Sequence, residues 1–322
     1  MKWVIGLLLS AACLCAAIFW LIRNPVSLPD LISPQLQVDQ SRLKADVAYL
    51  AAITPARNSF NIASLNQAAD YIHAEFTKTG CAVAEQTYRL KGKEFRNISC
   101  YFGPKDAPLM VVGAHYDVHY NNNPGADDNA SGVAGVLELA RQVARLKPNL
   151  AHRLEFVAYT LEEQPHFNSQ SMGSQVHAAR LVKDKVPLKL MISVEMIGYF
   201  RDEPDTQRFP MAFLKPLYPG RGNFIGVVGQ LLERGAVKRV KSLMQKASPL
   251  PVYSLNAPTF LPEAGFSDHK SYWDVGLPAV MITDTAFLRN PNYHKPTDTP
   301  DTLDYTRMAD VVRGIYQVAT EY

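Results

Sequence analysis

Cysteine is scarce in this 322-residue sequence: there are four, none in a Cys-x-x-Cys pair, which excludes a zinc site built on paired thiolates. Two of them, Cys13 and Cys15, fall inside an apolar N-terminal run. The other two, Cys81 and Cys100, allow either one disulfide in an oxidising compartment or two separate buried thiols. No block of lysine and arginine stands out, and the formal net charge is only +3, so nothing recommends a nucleic-acid partner. Internal repeats are absent too.

What is present begins with the apolar run. Residues 3–22, WVIGLLLSAACLCAAIFWLI, carry no charge and stand between Lys2 and Arg23. At 1.5 Å per residue they span about 30 Å, the thickness of a bilayer core. The expectation is a membrane anchor over residues 1–23 with a cytoplasmic N-terminus. A cleaved signal peptide is the alternative, but its apolar region is shorter and ends in small residues, whereas Phe19, Trp20, Leu21 and Ile22 continue the run. Residues 24–38 hold three prolines and predict an extended linker. Residues 39–322 are then expected to form one folded domain, placed outside the cytoplasm.

Within that domain apolar stretches of strand length alternate with helical ones. Helices are expected near residues 40–52, 64–80, 131–146, 173–184, 230–246, 268–275 and 302–320. Strands are expected near 82–90, 94–102, 109–113, 153–160, 188–194, 223–229, 252–255 and 279–283. This alternation predicts a three-layer α/β/α sandwich with a mixed, largely parallel central sheet and the early hairpin at an antiparallel edge. Ligand sites of such sheets lie beyond the carboxyl ends of the strands. The metal-binding side chains at those ends form a short list: His115, the pair Asp127 and Asp128, the pair Glu162 and Glu163, Glu195 and His294. Imidazole mixed with carboxylate selects a borderline cation such as zinc. One ligand per loop already gives five, too many for one tetrahedral ion and suited to two ions about 3.5–4 Å apart that share a carboxylate. Glu162 and Glu163 would point to opposite faces within a strand. At a strand's end both can reach the cleft, one as ligand and one as general base.

The segments GAHYDV, PGADDNASGVAG, LEEQ, SVEMIGY, FSDHKSYWDVGLPAV and NYHKPTDTPDTLDY, in this order, resemble the co-catalytic di-zinc aminopeptidases of metallopeptidase family 28. That family includes leucyl aminopeptidases, glutamate carboxypeptidases and glutaminyl-cyclase relatives. The resemblance runs from about Val47 to the C-terminus. It implies a zinc-dependent exopeptidase with two Zn2+ per chain: His115 and Glu195 on one ion, Glu163 and His294 on the other, and Asp127 bridging, with Asp128 fixing its geometry. Glu162 becomes the general base that takes a proton from the bridging water and gives it to the leaving amine. The resemblance also implies a cis peptide bond between Asp127 and Asp128, a role for Asp117 in fixing the His115 tautomer, and a supporting role for Asp268 and His269. The expected substrates are short peptides cut at the N-terminal residue. A single-zinc glutaminyl cyclase, a carboxypeptidase or dipeptidase, and a binding module without catalysis are the alternatives.

Two features depart from the family pattern. Glu195 stands where many of its aminopeptidases have Asp. After Glu163 the chain reads QPHFNSQSMGSQVHA, an insertion expected to border the cleft through His166 and Phe167. His119, His152 and His177 read as ordinary surface or core histidines, and the Pro-rich segment 201–224 as a flap over the site entrance.

Overall fold

A computed structural model describes residues 10, 13, 16, 17, 19–25, 36–258 and 260–322. Its frame is a mixed eight-stranded sheet: β1 (Ala82–Leu90), β2 (Lys93–Phe102), β3 (Leu109–His115), β4 (Arg153–Tyr159), β5 (Leu188–Glu195), β6 (Ile225–Gln230), β7 (Val252–Ala257) and β8 (Ala279–Thr283), in the order β1-β2-β4-β3-β5-β8-β6-β7. β4, β3, β5 and β8 are mutually parallel neighbours. β1 and β2 close one side antiparallel, as expected.

The sequence did not announce the other side, where β6 runs antiparallel to β8 and carries β7 parallel to itself. The reason lies in the connection. Gly226, near the start of β6, pairs with Thr283 at the end of β8. The chain leaving β5 therefore stays at the carboxyl end of the sheet through residues 201–224 and descends from there, without a crossover helix.

Alternation along β3 explains its unbroken apolar run. Met110, Val112 and Ala114 enter the larger core, while Leu109 and Val111 enter the smaller core on the opposite face, as the two-residue period of a strand requires. The larger core takes α1 (Gln40–Ala51), α2 (Ile62–Lys78), α3 (Gly132–Leu146), α5 (Arg234–Ala247) and α7 (Tyr305–Glu321). The smaller one takes α4 (Gly173–Lys183) and α6 (His269–Trp273). The stripe Val133, Val136, Leu137, Ala140 and Val143 makes α3 the central helix of its layer, wholly buried along that stripe. Cys81 and Cys100 form a disulfide across β1 and β2, which decides between their two readings.

One expectation for the N-terminus needs correction. Among the described residues no helix is long and apolar enough to cross a membrane. This overturns the membrane-anchored placement, although residues 3–22 fall largely outside those described. The backbone at Arg23 and Asn24 is bonded to the body of the protein. Lys241 Nζ donates to the carbonyls of Arg23 (3.1 Å) and Asn24 (3.0 Å), and Ser254 Oγ to that of Arg23 (2.9 Å). At the other end of the expected linker, Leu36 and Val38 are buried in the larger core. Exposed backbone carbonyls next to a buried ammonium make such docking favourable, since each group satisfies the other.

One buried cation ties the helical layer to the loop before α3. Arg57, 1% exposed, donates to the carbonyls of Tyr116 (2.8 Å), Leu50 (3.0 Å), Pro124 (2.5 Å) and Gly125 (2.8 Å). Burial lowers its pKa to about 10 against the pull of Asp298 and Asp128, so it remains charged at neutral pH. Arg57→Met takes a donor from four carbonyls, of which those of Gly125 and Leu50 keep a backbone N–H from Ala130 and Ile53, and should lower the free energy of unfolding by about 3 kcal/mol, read as a shift of the urea midpoint; an unchanged midpoint would remove this clamp from the account.

Candidate metal centre

The carboxyl ends of the four parallel neighbours converge on one cleft. His115 ends β3, Glu162 and Glu163 follow β4, Glu195 ends β5, and His294 follows β8. Two groups of three ligand-type side chains form there: His115, Asp128 and Glu195, and Asp128, Glu163 and His294. Asp128 belongs to both. Its Oδ1 lies 3.6 Å from His115 Nε2 and its Oδ2 3.1 Å from His294 Nε2. Glu195 Oε2 is 3.3 Å from His115 Nε2, and Glu163 Oε1 is 3.2 Å from His294 Nε2.

The expectation that Asp127 bridges is therefore corrected by one residue. Asp127 points behind the cleft, where its carboxylate accepts the N–H of Gly198 (3.0 Å) and the amide of Asn290 (2.7 Å). The cis bond likewise joins Asp128 to Asn129, not Asp127 to Asp128. The roles expected of the two acids are exchanged because of how their backbone is held. Asp298 Oδ1 accepts the N–H of Asp127 (2.9 Å) and Oδ2 that of Asp128 (3.1 Å). Gly125 precedes them with φ of 61°, and a Cβ there would run into Val118 and the Asp128 carbonyl. Only glycine fits this close approach.

Asp117 holds the other acidic pair in the same manner. Its Oδ1 accepts the N–H of Glu162 (3.0 Å) and its Oδ2 that of Glu163 (3.1 Å). His115 Nδ1 faces the Asp117 carbonyl at 3.2 Å and its carboxylate at 3.6 Å, which leaves Nε2 turned to the cleft. Around Glu195, Ser267 Oγ donates to Oε2 (2.8 Å) and Asn129 Nδ2 approaches it (3.4 Å). Asp268 and His269 are fully buried beside these residues. Neither Asp268 oxygen has a hydrogen-bond partner, whereas His269 Nε2 meets the Ala264 carbonyl at 2.7 Å.

Charge balance argues for a cation. Burial pushes Glu162 well above the usual carboxylate range and Glu163 up to about 7, with nearby carboxylates adding to each shift. Burial works the same way on Asp128, but His294, His115 and Arg57 hold its pKa below the ordinary value. The pKa of His294 is raised to about 10: burial opposes its charged form, and Asp128 and Glu163 outweigh that. Asp128 Oδ2, Glu163 Oε1 and His294 Nε2 are buried without a hydrogen-bond partner, although each of the two oxygens faces His294 Nε2 at little more than 3 Å. Unpaired buried acceptors carry a cost that a divalent ion between them removes. The donor set of imidazole nitrogens and carboxylate oxygens fits zinc.

Several contributors escaped sequence reasoning. Asp298 sits inside the segment NYHKPTDTPDTLDY, yet nothing local marks it as the partner of residues 127 and 128. His119, read as ordinary, stacks on His294 with ring centres 4.0 Å apart. In the insertion, His166 turns to Ser171 (3.0 Å). Phe167 meets Phe266 edge to face at 5.7 Å, and Phe266 and Glu195 line the same cavity. Segment 201–224 supplies Arg208, Phe209, Leu214 and Tyr218 to the same cavity.

The sharing of Asp128 yields a test. After zinc loading and dialysis, Asp128→Asn should lose metal from both groups of ligands, whereas Asp127→Asn should retain it, as measured by elemental analysis. Equal loss in the two variants would contradict the arrangement.

Comparison with known proteins agrees with this geometry. The model of peptidase family M28 matches residues 97–319. Protein YfbL of Escherichia coli (strain K12), described as uncharacterised, is 46% identical over 281 residues, 85% of each chain. A probable leucine aminopeptidase 1 of Trichophyton verrucosum is 27% identical over 226 residues, 66% of this chain and 54% of that protein. Among solved structures, the LapA aminopeptidase of Legionella pneumophila superposes with a TM-score of 0.71 at 20% identity, covering 88% of this chain and 73% of that one. The glutaminyl cyclase of Tannerella forsythia does so at 0.66 and 20%, covering 89% and 100%, so the fold is common to both reactions. The chain belongs to peptidase family M28.

Proposed function

We propose that this protein is a zinc-dependent exopeptidase, an aminopeptidase that removes N-terminal residues from short peptides with two zinc ions per chain. The observation that carries this reading is the pair of ligand groups joined at Asp128, with Glu162 beside them and not engaged by them. Bound zinc in such a pair lowers the pKa of water and polarises the scissile carbonyl. His115 and Glu195 would hold one ion, Glu163 and His294 the other, with Asp128 within reach of both groups. Asp117 fixes the imidazole of His115 and the backbone of the two glutamates at once, as partners behind a metal ligand commonly do.

Glu162 is the general base. Its side chain is buried, 6% exposed, and it lies near the charges of His115, Glu163, Glu195 and Asp268. Its backbone, but not its carboxylate, is tied down by Asp117. It can therefore receive a proton from the attacking water and return it to the leaving amine. A cation nearby favours its ionised form over the protonated form that burial favours. The leucine aminopeptidase relative supports the amino-terminal direction.

Glu162→Gln should keep the zinc content of the parent and lower kcat on leucyl-nitroanilide by about 10²–10⁴-fold; wild-type turnover in that variant would exclude Glu162 as the base. Metal counting with paired assays separates the remaining chemistry. Two zinc ions per chain and cleavage of free, but not N-acetylated, dipeptides support the aminopeptidase. One zinc with cyclisation of N-terminal glutamine would replace it with a cyclase.

A further inference from the structure

The cavity beside the metal centre is walled by β6, β7, β8 and segment 201–224, and Glu195 of the centre is among its lining residues. Its surface is overwhelmingly hydrocarbon, with Phe209, Leu214, Val228, Leu261, Met281 and Leu288 among the lining residues. Among the described residues that line it, only two besides Glu195 are charged. Arg208 is exposed to solvent. Glu263, in the single helical turn Pro262–Gly265, is half-buried, and its Oε2 is shielded from solvent without a hydrogen-bond partner.

A carboxylate oxygen without a partner in an apolar wall is costly. A purely aliphatic ligand would also cover the other oxygen of this half-buried carboxylate and leave the group unpaired. A ligand whose aliphatic stem ends in a cation would do the reverse, laying methylenes along the wall and bringing the charge to the carboxylate. Lysine and arginine side chains have this build. We propose that the cavity receives the N-terminal side chain of the substrate and that Glu263 makes it selective for lysine and arginine. The proposal rests on the exopeptidase reading for the placement of the substrate, with the scissile bond at the metal centre and the side chain directed past Glu195. Glu263 acts here as a specificity residue and takes no part in proton transfer. Its side chain supports no other residue, and its carbonyl accepts only the N–H of Phe266 (3.3 Å), so Glu263→Gln should fold as the parent does.

The test compares zinc-loaded wild type and Glu263→Gln on the nitroanilides of Lys, Arg, Leu, Met and Glu. The wild type should favour Lys and Arg in kcat/KM by about tenfold or more, and the variant should lose about 10–100-fold on these two while Leu and Met hold or rise. A wild-type preference for Leu and Met, or an equal change across the series, overturns the proposal. A preference for Glu would assign the cavity to Arg208 instead and overturn it too. Calorimetric titration of both proteins with L-arginine and L-norleucine separates this idea from the activity. Selective arginine binding that needs Glu263, without cleavage of any nitroanilide, leaves the cavity assignment standing and sinks the aminopeptidase. Cleavage without selectivity does the opposite, and equal binding of the two amino acids refutes the cavity assignment by itself.

Discussion

Two consecutive peptide N–H groups bound to one carboxylate leave little freedom to the side chains they carry. Asp298 imposes this constraint on residues 127 and 128, and the rest of the centre is arranged around its outcome. One acid turns into the cleft between the two imidazoles, and its neighbour turns away to Gly198 and Asn290. Arg57 and Gly125 set the path of the chain just upstream. The direction of Asp128 is thus decided by backbone contacts formed between distant segments, whatever fills the cleft.

Asp117 repeats the device on residues 162 and 163. In each acidic doublet the two side chains are chemically alike or identical, and a second carboxylate sorts them into different tasks through their amides. The surrounding burial gives the sorting its force. Carboxylates in water would wander and titrate alike, but here each sits at a fixed distance from particular imidazoles, and its proton affinity follows those neighbours.

Much of this was legible in the sequence, for reasons that also mark where legibility stops. The strands announced themselves through apolar runs, and four of them are parallel neighbours. Their carboxyl ends therefore had to meet, and His115, Glu163, Glu195 and His294 fall together where their positions in the sequence put them. The doublet at 127 and 128 could not be resolved locally, because adjacent aspartates differ only in which partner holds their backbone, and that partner lies 170 residues away. Nor could the reversal of β6 and β7 be read. It depends on where segment 201–224 ends, and residues of that segment line the apolar cavity together with those of β6 and β7. The charge-free N-terminal run fits the length of a bilayer, but length and composition did not disclose that the backbone at Arg23 and Asn24 would be bonded to Lys241 and Ser254.

The hold of Asp117 on the two glutamates also shapes the paths open to descendants of this chain. The backbone at both positions is fixed by one distant side chain, so a change confined to the Glu162 carboxylate leaves the neighbouring ligand in place. On the proposed reading of Glu162 as base and Glu163 as ligand, a copy that kept its metal and lost turnover would lie a single substitution away. Moving such a base to another position would require rebuilding the loop, so drift from this fold would run more readily toward silent metal-binding relatives than toward enzymes with a relocated base.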